Sequence, residues 1–212
     1  SVGIHPETAE DIAAIEAVTV AAFQDAPHAS GTEHLIVRAL RNAGQLTISL
    51  VADDRGDLVG HLAISPVTIS DGATGWYGLG PLSVAPKRQR QGIGTRLIQD
   101  ALEHLRPLGA AGLVVLGEPG YYGRFGFRAA QSLVLPGVPS EYFQSLRFKG
   151  REPSGTVSST DPLQRALDWQ FGSSGRHGSP QIVLTWSLRR RDALPMLEAC
   201  GGGAGDHESG KA

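Results

Sequence analysis

Lys87-Arg88-Gln89-Arg90-Gln91-Gly92-Ile93-Gly94-Thr95 sets three cations and two glycines immediately before a helical run. The stretch ahead of it, ending Val84-Ala85-Pro86, reads as a strand. Behind it Ile93, Leu97, Ile98, Ala101, Leu102 and Leu105 recur at helical spacing. A strand, a basic glycine loop and a helix start bring bare backbone N–H groups and the positive end of a helix dipole to one point. Such a point binds anions, phosphates above all. A Walker loop needs Gly-x-x-x-x-Gly-Lys-Ser/Thr, which is not here. A dinucleotide fingerprint needs a third glycine where Leu97 stands, and an acidic residue about 20 positions on. The pattern Gln/Arg-x-x-Gly-x-Gly/Ala is met by Gln89-Arg90-Gln91-Gly92-Ile93-Gly94. The same letters also describe a plain glycine turn with solvated cations, so the loop by itself leaves its ligand open.

The elements that must position this loop can be read outward from it. Residues 2–5 predict a short strand. Thr8 offers an N-cap with Asp11 three residues on, ahead of a helix carrying Ile12, Ile15, Val18, Ala22 and Phe23 on one face. Residues 25–31 read as a loop and 33–41 as a second helix. Leu46, Ile48, Leu50 and Ala52 alternate as in a half-buried strand. Asp53-Asp54-Arg55-Gly56-Asp57 turns the chain into a long strand over 58–69, where Pro66 suggests an edge or a bulge. A second turn at 71–75 leads to a strand over 76–85, interrupted by Gly78, Gly80 and Pro81. These three strands form an antiparallel meander. The helix after the loop stops at Pro107 and Gly109, and 113–116 is a buried strand, parallel to its neighbour by the strand–helix–strand order. Residues 118–125 read as a short helix or turn, 127 opens another extended piece, and 133–148 is mixed. Residues 151–161 read as loop, 163–171 as a short helix, 172–180 as a Gly/Ser linker, 182–188 as a strand and 201–212 as a disordered tail.

Tyr121-Tyr122-Gly123-Arg124-Phe125-Gly126-Phe127 follows the loop and its helix. With Pro81-Leu82-Ser83-Val84-Ala85-Pro86 before them, these segments together resemble the GNAT superfamily of acyl-CoA-dependent N-acyltransferases. Val115-Leu116-Gly117-Glu118-Pro119 and Pro136-Gly137-Val138-Pro139 are similar to its YhbS-like bacterial subgroup. The resemblance covers roughly residues 2–150 and implies an α/β fold: a mixed, mostly antiparallel, splayed sheet flanked by helices. It implies a GNAT-like domain over 1–150, with 151–200 a C-terminal extension of uncertain structure and 201–212 the tail. It implies acetyl-CoA as cosubstrate and transfer of an acetyl or short acyl group to a primary amine of a small molecule or protein. A non-catalytic acyl-CoA-binding regulatory protein is the alternative.

The resemblance assigns roles residue by residue. Leu82, Ser83 and Val84 would offer backbone to the pantetheine arm. Gln89, Arg90, Gln91, Gly92, Ile93, Gly94 and Thr95 would hold the diphosphate. Tyr122 would protonate the departing thiolate: a phenol near pKa ~10 can serve a thiol near ~8.5 once the site is dry. Family members often carry a glutamate base on the fourth strand, but residues 76–85 here contain no carboxylate. His61, Glu118, Asp25, His28 or a water chain are the candidates left to take the amine proton.

Composition narrows the remaining classes. The 212 residues carry 19 Lys and Arg against 21 Asp and Glu, a formal charge of −2, which argues against a general nucleic-acid binder. The single cysteine, Cys200, rules out a disulfide framework and fits a reducing compartment. No apolar run reaches the roughly 20 residues of a membrane helix, and the first residues do not read as a signal peptide. The seven histidines lack close metal-ligand spacing, so no metal is expected. Arg189-Arg190-Arg191 reads as a solvated basic face. The expectation is a cytoplasmic enzyme without nucleic-acid or membrane partners, compatible with a homodimer.

Overall fold

The computed structural model of the chain describes residues 1–26, 31–136 and 138–159. The elements expected at 163–171, 172–180, 182–188 and 201–212 lie outside the described residues, as do His28, Arg189, Arg190, Arg191 and Cys200.

Strand β1 (Gly3–Pro6) lies antiparallel to β2 (Ile48–Asp54), which pairs with β3 (Asp57–Ile69), which pairs with β4 (Trp76–Val84). The meander is as expected, except that β2 begins at Ile48 rather than Leu46. Helix α1 (Ile12–Phe23) follows a 3₁₀ turn over Ala9–Asp11, and it is this turn that Thr8 caps: its N–H donates to Asp11 Oδ2 at 2.7 Å and its hydroxyl donates to the same oxygen at 2.9 Å. Helix α2 (Glu33–Asn42) follows. Helix α3 (Ile93–Leu105) then carries the chain to β5 (Gly112–Leu116), fully buried and parallel to β4. A single turn of helix, α4 (Pro119–Tyr122), precedes β6 (Arg128–Ala129), β7 (Leu133–Val134), β8 (Phe143–Arg147) and β9 (Gly155–Ser159). The sheet order is β1-β2-β3-β4-β5-β8-β6, with β9 joining β3 and β7 joining β9.

Alternation along β2 separates the two faces. Leu50 and Ala52 pack with Ile93, Leu97, Ile98, Ala101 and Leu105 of α3, while Val51 between them meets Ile15 of α1 and Val37 of α2. Helix α3 therefore covers one face, and α1 with α2 the other. Gly60 on β3 permits the approach of α3: a Cβ there would sit 3.1 Å from both Ile93 Cγ2 and Leu97 Cδ1.

Two expectations need correction. Residues 151–161 are not simply loop, because Gly155–Ser159 forms β9, antiparallel to Val67–Ile69 of β3. Only Val157 of that strand is buried, so its polar letters carried no apolar rhythm. The sheet thus runs past the boundary expected at 150. Pro66 marks neither bulge nor outer edge. It remains paired to Tyr77, and it falls between the end of β2 pairing at Ile64 and the start of β9 pairing at Val67. A residue without an N–H is tolerated where that flank changes partner.

Candidate active site

The parallel pairing of β4 to β5 runs from Trp76↔Gly112 to Gly78↔Val114 and stops. Beyond it β4 stays with β3 to Val84, while β5 stays with β8 to Leu116. The two strands therefore part, and β4 beyond Gly78 has a flank without a strand partner among the described residues. The cause is a β-bulge. Leu62 faces Leu82 but Ile64 faces Leu79, so Gly80 and Pro81 together oppose Ala63. Gly80 takes φ 144, a conformation that suits glycine alone.

Ladder alternation says which groups face the parting. The Ala85 N–H donates to Val59 O at 2.9 Å, so Ala85–Val59 and His61–Ser83 are hydrogen-bonded pairs. The main chain of Ser83 is thereby turned to β3, and that of Leu82 and Val84 toward the parting. Val84 O accepts from Gln89 Nε2 at 3.1 Å. The Ser83 hydroxyl is buried and donates to Thr19 Oγ1 of α1 at 3.3 Å.

The loop lies at the same end of β4. A 3₁₀ turn over Pro86–Arg88 leads to Arg90 at φ 62 and Gly92 at φ 80, and α3 begins at Ile93. Left-handed residues spaced through a turn aim successive N–H groups into one concavity. The first intrahelical bond of α3 is Arg96 N–H to Gly92 O at 3.0 Å. Among the described residues, the amides of Arg90, Gln91, Gly92, Ile93, Gly94 and Thr95 find no acceptor in the protein. Lys87, Arg90, Gln91 and Gly92 are exposed, whereas the Ile93 side chain is buried beside Gly60.

Helix α4 sets the tyrosines against this end of α3. Tyr122 is 0% exposed, edge-on to Tyr121 at 5.0 Å and to Phe127 at 5.8 Å, and its ring lies where a Cβ on Gly117 would be. Burial first, and the neighbouring Tyr121 second, push its phenol well above the ordinary value. Tyr121 is less buried, and its hydroxyl bonds Thr95. It also reaches to 2.9 Å from where a Cβ on Gly94 would stand. Burial raises its pKa, against the pull of Thr95 and of Arg124, whose guanidinium lies 4.4 Å from the ring centre.

The candidate bases among the described residues sit in different surroundings. Glu118 caps α4, accepting from Gly120 N–H at 2.8 Å and Tyr121 N–H at 2.6 Å. Asp25 is exposed at the end of the α1 turn. His61 is 0% exposed on the α1 side of β3. Its Nε2 lies 2.8 Å from Ser49 Oγ, and the Ser49 hydroxyl makes a short hydrogen bond to Glu7 Oε2. Arg41 closes the network with two 2.8 Å bonds to the Glu7 carboxylate. Burial alone would raise the Glu7 pKa, but hydrogen bonds from Arg41 and Ser49 outweigh it and hold the carboxyl below its ordinary range. Ser49 spends its one proton on that carboxylate, so His61 Nε2 must donate to Ser49. His61 Nδ1 is then a bare lone pair, buried without a hydrogen-bond partner. Burial brings the imidazole down to about 4, with Glu7 opposing and Arg41 assisting.

Sequence reasoning missed this network. Glu7, Arg41, Ser49 and His61 lie on four different segments and no spacing joins them. The one legible trace belonged to Ser49 and His61, polar letters within apolar strands. Among the described residues no group of three or more His, Cys, Asp or Glu is placed to hold a metal, and no helix is long and apolar enough to cross a membrane.

The chain is similar in sequence and in fold to known proteins. The sequence model of the Acetyltransferase (GNAT) family matches residues 10–127. Escherichia coli K12 YhbS, an uncharacterised N-acetyltransferase, is 38% identical over 128 residues, which are 60% of this chain and 74% of YhbS. A GNAT family acetyltransferase from Brucella melitensis, solved in complex with acetyl-CoA, is 45% identical. It covers 77% of this chain and 98% of its own, with a TM-score of 0.69. Escherichia coli YhbS solved in complex with CoA also has a TM-score of 0.69, at 33% identity, covering 77% of this chain and 92% of its own. The family model spans more than half of the sequence, and this chain belongs to the GNAT acetyltransferase family.

Proposed function

We propose that this protein moves an acetyl or short acyl group from acetyl-CoA to a primary amine by direct attack. One observation carries the reading: the partnerless flank of β4 runs into a loop whose six consecutive amides, residues 90–95, have no protein acceptor among the described residues. A diphosphate fits such a cradle at the head of α3, and an extended pantetheine arm fits beside β4 as an added strand would. Leu82 and Val84 supply backbone groups on that flank, Val84 through its N–H because its carbonyl is held by Gln89. The GNAT family relatives solved with CoA and with acetyl-CoA support the same ligand.

Acetyl-CoA supplies an activated thioester. The amine nitrogen bonds to its carbonyl carbon, the carbon–sulfur bond breaks, and the thiolate leaves. Tyr122 is the proton donor to that sulfur: its raised pKa keeps the hydroxyl protonated throughout the neutral range. β4 carries no carboxylate and Glu118 is committed to its helix cap, which leaves water, His61, Asp25 or His28 to take the amine proton.

The test is acetyl-CoA turnover against a broad amine panel, read as free thiol. Release of CoA thiol with at least one amine is expected, and Tyr122→Phe should slow it by about 10²-fold or more. A full rate in Tyr122→Phe across pH removes the acid assignment. The absence of a carboxylate from β4 favours one second reading, a protein that binds acyl-CoA and regulates without turnover. CoA binding with no thiol release from any amine selects it.

A further inference from the structure

A loop of exposed polar residues has little packing to hold its shape. Here a chain of side chains holds it. Arg88 Nη1 lies 2.9 Å from Asp54 Oδ2, Arg88 Nε donates to Gln91 Oε1 at 3.1 Å, and Gln91 Nε2 donates to Lys87 O at 3.1 Å. Asp54 ends β2 at a two-residue turn whose Arg55 and Gly56 both take left-handed φ, 59 and 92. The Gly56 N–H donates to Asp53 Oδ1 at 3.1 Å and stiffens the same turn. The β2–β3 hairpin therefore offers a firm anchor directly beneath the loop.

We propose that Asp54 is a positioning residue for the coenzyme diphosphate: through Arg88 and Gln91 it holds residues 86–92 so that the amides of Arg90, Gln91 and Gly92 face outward. The inference rests on the coenzyme A reading of the loop. It makes a prediction opposite in sign to simple charge. A carboxylate near an anion site weakens binding by repulsion, whereas a carboxylate that holds the site in shape strengthens it. Asp54 is faced by two side-chain cations, Arg88 at 2.9 Å and Arg55 Nε at 3.6 Å. Its own charge is thus largely compensated, and the brace dominates.

The experiment is calorimetric titration of CoA and of 3′-dephospho-CoA into the full chain. The proteins are wild type, Asp54→Asn, Asp54→Glu, Arg88→Gln and the Asp54→Asn/Arg88→Gln pair, each shown folded by thermal denaturation. Asp54→Asn should weaken both ligands by roughly fivefold, the scale of a lost solvent-accessible ion pair. Asp54→Glu should restore most of the affinity. On the Arg88→Gln background Asp54→Asn should add nothing, because Asp54 acts through Arg88. Equal or tighter binding by Asp54→Asn overturns the brace. So does an effect that persists without Arg88, or one confined to CoA with its 3′-phosphate. Wild-type protein that binds no CoA overturns the transferase reading and the brace together. Wild-type binding that Asp54→Asn leaves untouched removes the brace alone.

Discussion

Acidification should destabilise this protein through His61, the buried imidazole of β3. The imidazole is wholly buried and brought down to about 4, against 6.5 when unfolded. The folded state therefore refuses a proton that the unfolded chain accepts. Stability from this source is complete above pH 6.5 and falls as pH drops from there toward about 4. The full span corresponds to about 3 kcal/mol, and linkage places ~2 kcal/mol of the loss between about pH 7.5 and pH 5. Glu7 works in the same direction but later: its lowered pKa keeps it charged until below the ordinary carboxylate range. Urea unfolding at a series of pH values measures the slope. His61→Gln supplies the control, because its amide can donate to Ser49 Oγ as Nε2 does and does not titrate. The wild-type curve should fall by ~2 kcal/mol more than the variant over that interval. Parallel curves would refute the buried neutral imidazole, and with it the assignment of a bare Nδ1.

Three substitutions probe how the site is held. Gly117→Ala places a methyl group into the Tyr122 ring and should cost about 1–3 kcal/mol by chemical denaturation; an unchanged midpoint would show that the ring is not seated there. Glu118→Ala removes the cap of α4 and should lower stability by about 1 kcal/mol while leaving most of the turnover. A collapse of rate at unchanged stability would instead make Glu118 the base. Gly60→Ala crowds Ile93, Leu97 and the Ser83 carbonyl, so melting temperature and CoA affinity should fall together as the start of α3 is pushed off the sheet. A drop in only one of the two would separate that contact from the loop.

What could be read in advance was what is local. The meander, α3 and β5 announced themselves by period, and Gly80-Pro81 within a strand announced a bulge. Asp11 three residues after Thr8 gave the 3₁₀ turn that leads into α1. β9 was not legible because a strand added to the end of β3 needs only one buried side chain, Val157, to join the sheet. Pro66 was misread because its tolerance depends on where β2 ends and β9 begins, a fact of pairing and not of letters. The loop was legible as a phosphate cradle in composition, but the Asp54–Arg88–Gln91 chain was not, since Asp54 stands 34 residues earlier. The Glu7–Ser49–His61 network fails the same way. Contacts across the sheet are set by register, and register appears only when strands are laid side by side.

The bulge in β4 changes the parity of the strand. Tyr77 and Leu79 before it, and Leu82 and Val84 after it, all point toward α3, although an odd number of steps separates the two pairs. Gly80 and Pro81 supply the odd step. Removing either one would leave Leu82 two steps after Leu79, so strict alternation would keep Leu82 and Val84 under α3 and the Ser83 hydroxyl toward α1. The shorter strand would lose only the bulge, and with it the bend that carries β4 away from β5. The surplus residue therefore alters the course of the strand without reassigning its faces: the shape of the cleft and the packing on either side of it can vary independently.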